Sequence, residues 1–235
     1  CIRDSNSTTY MSFFSQMDTY GDGYAGIGVW RAAFKPLVDR IADTDIRLQW
    51  FCCDRSTGVT DASGNRITLI RDTQSPVAVE YQAVKFIGTG RDNIKAGVFS
   101  GWELGDYIYL RSEEAYMIKM EALAHKGSAE AVTELNSFMK TRQPDYNYTF
   151  TNKADLIEEI IYQKRVEFWG EGLEYIDNRR LNIPVDRTDE TWGAENNNHF
   201  SAGKFRYNQE DRPFLYQLPL SEIENNSQLS PSDQN

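Results

Sequence analysis

The feature that most constrains the fold is a break, Lys126-Gly127-Ser128, set between two helical patterns. Upstream, Tyr107 to Leu110 reads as extended, and Arg111 and Ser112 lead into a helix predicted from about Glu113 to Lys126. Gly127 stops that helix, because glycine takes up the left-handed conformation of a C-terminal cap without steric cost. Ser128 is a natural N-cap. The next helix is expected to run to about Arg142, with Ala131, Val132, Leu135, Phe138 and Met139 on one face. So short a joint forces the two helices to lie antiparallel. A third helix is predicted from its cap, Asn152, through Lys153 to about Gly170. It would bury Leu156, Ile157, Ile160, Ile161, Phe168 and Trp169, and its pattern carries on into EGLEYIDNRR, Glu171 to Arg180.

The rest of the chain is less regular. Residues 1–27, rich in Ser, Thr, Asn, Gly and Tyr, have no clean period and read as loop with short turns of helix. Over residues 30–42, Phe34, Leu37, Val38 and Ile41 recur at helical spacing, and Pro36 fits the first turn of a short helix. Ile46 to Cys53 reads as a short strand. A turn at Ser63-Gly64-Asn65 leads into a strand from Ile67 to Ile70, and residues 78–87 suggest another. The five glycines of residues 88–105 mark a loop. Past Arg180 the chain is expected to be mostly loop. Phe214 to Leu220, interrupted by Pro219, reads as an edge strand, and the Asn-, Ser- and Gln-rich tail as coil. The fold class is therefore mainly α, with long loops and a few short strands.

Composition narrows the function. The 235 residues suffice for one large domain without staples. A formal net charge of −10 disfavours nucleic acid and anionic membrane surfaces, since both demand a basic face. Of the three cysteines, Cys52 and Cys53 are adjacent, a geometry that strains a mutual disulfide; a bridge from Cys1 to either leaves one thiol over. No apolar run reaches the roughly 20 residues needed to cross a bilayer, and no signal peptide is read, so the chain is expected to be soluble as it stands. His125 and His199 lack partners at ligand spacing, and no metal or other cofactor is expected. Asp61, Ser63 and Asn65 loosely resemble a calcium loop but lack the closing Glu, and a turn is the better reading. Neither a Ser–His–Asp arrangement, nor G-x-S-x-G, nor a phosphate-binding glycine motif is present, and no catalytic residue is assigned.

Two groups of residues remain as candidates. Arg165, Glu167, Glu171, Asp177, Arg179 and Arg180 form the densest charge cluster. They are expected to be ion pairs that lock the third helix onto the next stretch of chain; the rival reading is a carboxylate pair for glycoside hydrolysis, with Glu171 and Asp177 facing each other across a cleft. The second group is aromatic. Tyr20, Tyr24, Trp30, Trp50, Trp102 and Trp192 stand in polar, Gly-rich or irregular stretches. A ring exposed there can stack on the apolar face of a sugar while neighbouring polar groups bond its hydroxyls. Tyr20, Tyr24, Trp30, Trp50 and Trp102 are the ligand-binding candidates.

Three stretches carry resemblances. The hairpin resembles a tetratricopeptide (TPR) repeat, with Tyr116, Ala122, Gly127 and Ala131 at the bulky, small, turn and small positions. One hairpin cannot bury its own face, so it needs neighbours, and a TPR-type protein-interaction scaffold is an alternative function. Arg165, Glu171, Gly172, Asp177 and one of Arg179 or Arg180, with Glu167 close to an expected acid, match the E-R-x-x-E-L and E-G-x-R-x-x-D-L-x-R pattern of SusD-like (RagB/SusD) proteins. The chain departs from that pattern at Glu174 and Asn178. Pro219, Glu222, Ile223, Asn225, Leu229, Gln234 and Asn235 are similar to the same family's closing segment. The resemblance is specific over about 107–235 and weak over 1–106. It implies a single SusD-like region, 1–235, with a loop-rich variable part (1–106) and a hairpin, third helix and tail (107–235), equivalent to the C-terminal half of a longer protein. That placement puts Cys1 in the interior of a family chain. The resemblance further implies non-catalytic capture of a nutrient, mostly a glycan, by a protein lipid-anchored at the outer-membrane surface through a segment outside these residues, with a TonB-dependent, SusC-like transporter as partner. In the family the charged motif is structural.

Overall fold

The computed structural model describes residues 2–5, 32–52, 81–83, 85–86, 105–211 and 218–233. The chain forms two compact units, Cys1–Gly170 and Glu171–Asn235. It is mainly helical.

The first unit is organised by the expected hairpin. Helix α2 (Ser112–His125) and helix α3 (Glu130–Lys140) are joined through Gly127, whose φ of +71° is the left-handed value foreseen for it. Ala129, and not Ser128, is the N-cap of α3; Ser128 stands one residue before it, its Oγ accepting from the backbone N–H of Glu130 at 3.3 Å. The hairpin buries Met117, Met120 and Ala124 on α2 and Ala131, Leu135 and Met139 on α3. The small contact on α2 is thus Ala124; Ala122, expected in that role, faces solvent, and Tyr116 is half exposed with its ring 6.5 Å from that of Phe138. Helix α4 (Lys153–Glu167) packs against α2. Asn152 caps it, its side chain accepting from the N–H of Asp155 at 3.0 Å. Lys153 Nζ meets the last carbonyl of α2, His125, at 2.6 Å, which places a cation at a helix C-terminus.

Before the hairpin, helix α1 (Lys35–Asp39) carries Pro36 in its first turn, as expected. Ile46 to Trp50 is a 3₁₀ helix and not a strand; only Phe51–Cys52, strand β2, is extended. The cause is local: Asp45 accepts from the N–H of Arg47 at 2.9 Å, and that cap starts a helical turn. Strand β3 (Gln82–Ala83), within the strand predicted over 78–87, pairs antiparallel with β2. Strand β1 (Ile2–Ser5), in a stretch read as loop, pairs antiparallel with β4 (Gly105–Ile108) in the register Ile2 to Ile108. Ladder bonds to a segment a hundred residues away leave no local period to read. A core of Ala33, Val38, Ile41, Leu48, Phe51, Tyr81, Ala83, Tyr162 and Val166 joins these pieces to α4, with Leu37, Trp50 and Trp169 packed against it. The Trp169 ring lies 5.7 Å from Phe51 edge-on and 6.5 Å from Phe86 in a stacked pose.

EGLEYIDNRR does not prolong α4. Gly170 and Gly172 both have positive φ, +78° and +84°, which no α-helix accommodates. A separate helix α5 (Leu173–Leu181) opens the second unit and ends at Asn182, another left-handed residue with φ +54°. The region expected to be mostly loop then holds strand β5 (Val185–Asp186), helix α6 (Asp189–Trp192) and strand β6 (Arg206–Tyr207), β5 pairing antiparallel with β6. The tail, read as coil, contains helix α7 (Leu220–Asn225), which begins directly after Pro219, so Leu220 is helical and not in an edge strand. Proline before a first turn gives up no needed N–H. Leu218 and Pro219 are not in a strand either; residues 214–217 of that prediction, and the turn and strand predicted at 63–70, lie outside the described residues.

Candidate functional site

Helix α4 ends in a buried charge cluster. Glu167 is 2% exposed, and its carboxylate accepts from Arg111 at 3.0 Å, from Arg142 Nε and a terminal nitrogen at 3.2 Å each, and from Arg47 at 3.4 Å. Arg47, itself buried, also clasps Asp45 at 2.7 Å and Gln163 Oε1 at 2.5 Å. Burial alone would raise the carboxyl of Glu167. The hydrogen bond and charge of Arg142, the charge of Arg47 and the bond from Arg111 outweigh it and hold the group below its ordinary value. A carboxyl kept ionised in this way is unsuited to general-acid work, which needs a proton in place. The cluster also closes the helix: Arg111 at 2.9 Å and Lys85 at 2.7 Å both bond the Glu167 carbonyl, and Lys85 reaches the Trp169 carbonyl at 3.1 Å.

The same network continues, through Gln163, to a cleft. Its volume is about 340 Å³, and its walls include Arg40, Gln143, Tyr146, Asn147, Tyr148, Glu159, Tyr162 and Gln163. Glu159, one turn before Gln163 on α4, is the hub. One oxygen accepts from Tyr146 Oη at 2.9 Å and from Gln163 Nε2 at 2.7 Å; the other accepts from Arg40 at 2.7 Å. The guanidinium of Arg40 also lies 3.9 Å from the ring centroid of Tyr162. Burial raises the Tyr146 hydroxyl, and the neighbouring Glu159 raises it further, so Tyr146 stays a neutral donor. The loop carrying Tyr146 to Tyr148 is set in place before any ligand arrives. Asn136 of α3 holds the backbone of Tyr148 by two bonds, 2.7 and 3.0 Å, and Thr44 bonds Asp145 at 2.6 Å. The Tyr148 hydroxyl is buried with no hydrogen-bond partner among the described residues, a state that costs on the order of 1–3 kcal/mol.

The predicted site residues fall differently. Tyr20, Tyr24, Trp30 and Trp102 lie outside the described residues. Trp50 is partly buried at the edge of the core, and the ammonium of Lys85 stands 4.7 Å from its ring. Trp192, also considered, donates through Nε1 to the Asp186 carbonyl at 2.9 Å. The charged motif does not act as one cluster. Glu167 spends its carboxylate on arginines from earlier in the chain, whereas Asp177, buried, bonds Arg180 at 2.8 Å one turn away. Arg179 donates to the carbonyl of Gln209 within the second unit. Arg165 and Glu171 are half-buried, and Gly172 is the left-handed residue before α5. Sequence reading missed Arg40, Tyr146, Glu159 and Gln163. The one local signal was the Tyr-Asn-Tyr run in a loop; the partnership of Arg40 with Glu159 spans 119 positions.

Fold and site together describe a helical protein with a TPR-like hairpin, a preformed polar cleft and, among the described residues, no group of side chains able to hold a metal ion. The family model described as the SusD family matches residues 81–235. The chain belongs to the SusD family. It is similar in fold to the crystal structure of a SusD-like carbohydrate binding protein from Bacteroides vulgatus ATCC 8482, with a TM-score of 0.61 at 21% sequence identity. The match takes in 92% of this chain and 44% of that one, so the chain spans less than half of that protein's length. No curated protein matches. Among the described residues no helix is long and apolar enough to cross a membrane.

Proposed function

We propose that this protein captures an oligosaccharide or polysaccharide without altering it, at the outer surface of an outer membrane, and hands it to a TonB-dependent, SusC-like transporter. Membership of the SusD family carries the reading, and the carbohydrate-binding character of its structural neighbour supports it. A lipid anchor would hold the protein at the membrane. Tyr20, Tyr24, Trp30, Trp50 and Trp102 are the proposed stacking platform, with the face of Trp50 turned to Lys85 unavailable for it. Two observations favour binding over hydrolysis. Glu167 is held ionised by three arginines, and Asp177 is buried against Arg180.

The test is calorimetric titration of the protein with a panel of soluble oligosaccharides and polysaccharides, followed by chromatography of the sugars. Saturable binding to one glycan class, unchanged sugars, and loss of binding in Trp30→Ala or Tyr24→Ala are expected. Release of new reducing ends would turn the reading to an enzyme, and absence of binding across the panel would refute it.

A further inference from the structure

The cleft beside α4 has a composition that selects a ligand. Around Tyr146 and Tyr162 it sets two carboxylates, Asp45 and Glu159, a guanidinium and three side-chain amides. Arg40 uses its two terminal nitrogens on Glu158 and Glu159, 3.5 and 2.7 Å away, which leaves Nε and outer N–H groups to donate. The Glu159 oxygen bonded to Arg40 keeps room for a second donor. Asn147 lines the cleft from an exposed position. Donors and acceptors therefore stand side by side, the arrangement that neighbouring hydroxyl groups satisfy, because each hydroxyl both gives and takes a bond. Charge argues the same way. The charges in the walls are already matched, Asp45 by Arg47 and Glu159 by Arg40, so a charged ligand would have to compete with these pairs. An apolar ligand would strand the amides and the ion pair. The volume of about 340 Å³ sits at the small end of small-molecule sites, roughly 300–1,000 Å³.

We propose that this cleft binds a neutral polyhydroxylated ligand of sugar-ring size, held by Glu159 and Arg40, with Tyr146 and Gln163 positioning the carboxylate. The identity of the ligand as a sugar rests on the capture function above; the site itself is distinct in its residues from the aromatic platform. It would grip one residue of a glycan in the plane of its hydroxyls, where the platform grips ring faces.

Saturation-transfer NMR and titration on the full chain decide the matter, with glucose, galactose and mannose as neutral probes and galacturonate as the charged one. Glu159→Gln keeps the shape and removes the charge. Asn147→Trp fills the mouth from a residue without bonds in the network, and so tests the site even if the first variant folds poorly; circular dichroism reports the fold of both. A neutral sugar is expected to bind the parent, about tenfold or more weaker in Glu159→Gln, the loss of a charge-assisted bond. Its signal should vanish in Asn147→Trp and survive in Trp30→Ala. Binding that is lost in Trp30→Ala but equal in the parent and both cleft variants would overturn this proposal and leave glycan capture standing. Galacturonate bound as tightly as the neutral sugars would overturn the ligand class. No binding of any sugar, here or across the glycan panel, would overturn both readings.

Discussion

Glu167 gathers three arginines around one buried carboxylate. Its carboxylate meets arginines 120, 56 and 25 positions away, and its carbonyl is held by Arg111 and Lys85. Removing one member of a buried charged group leaves the others desolvated and unpaired, so Glu167→Ala should destabilise the chain by roughly 3–5 kcal/mol. Glu167→Gln, which keeps an acceptor, should cost less. Urea midpoints at constant slope measure both. The pH dependence has a definite sign. The folded carboxyl of Glu167 lies below its ordinary value of 4.5, so its stabilising contribution is complete above that pH and is lost as the pH falls through the lower, folded value. Asp186 obeys the same rule in the second unit. Burial would raise it, but Thr191, the N–H and hydroxyl of Thr188, and Arg206 hold it at about 2. Its side-chain carbonyl shift, followed by NMR, should titrate near pH 2 and not near 3.8. Both residues are plain acids in the sequence; their perturbation comes from partners that only folding assembles.

Among the elements, the hairpin and α4 were legible because their signals are local. Gly127 and Asn152 are punctuation whose meaning depends on a few neighbours. A Cβ on Gly127 would touch nothing within 4 Å, so the cost of Gly127→Ala is the left-handed backbone itself, about 1–2 kcal/mol. Asn152→Ala should lose a comparable amount, about 0.5–2 kcal/mol, by uncapping α4. Thermal unfolding should show both as lower midpoints, with Gly127→Asn milder than Gly127→Ala because asparagine tolerates the left-handed region. The end of α4 was read to within three residues, about Gly170 against Glu167, but the separate helix that follows it was not. The spacing of EGLEYIDNRR is helical on its own, and α5 is a helix; Gly170 and Gly172, both at positive φ, detach it from α4. The 3₁₀ helix over Ile46 to Trp50 was misread because an apolar, β-branched start suggests a strand, while a single side-chain bond from Asp45 overrides that preference.

At the scale of the molecule, the proposed neutral ligand and the net charge of −10 together make a prediction about salt. Binding that relies on hydroxyl bonds and ring stacking involves little ion release, so the glycan affinity should change less than about twofold between roughly 50 and 500 mM salt, as titration at the two concentrations would show; contacts to a charged ligand would be screened. The chain's charged and closing motifs carried the resemblance to SusD-like proteins; beyond that, the sequence by itself determined a mainly helical chain, the hairpin with its glycine joint, the cap of α4 and a charge balance that disfavours a nucleic-acid partner. These rest on spacing, capping and composition, all of which act over a few residues or add up over the whole chain. Only the tertiary structure decided that β1 pairs with β4 and that the charged motif divides between a buried arginine cluster and a local pair on α5. It alone brought Arg40, Tyr146 and Glu159 around one cleft. The partners in the cleft and around Glu167 are separated by 13 to 120 positions, and at such distances the one-dimensional pattern carries no phase: the juxtaposition is set by how helices and loops pack, which no single residue's neighbourhood records.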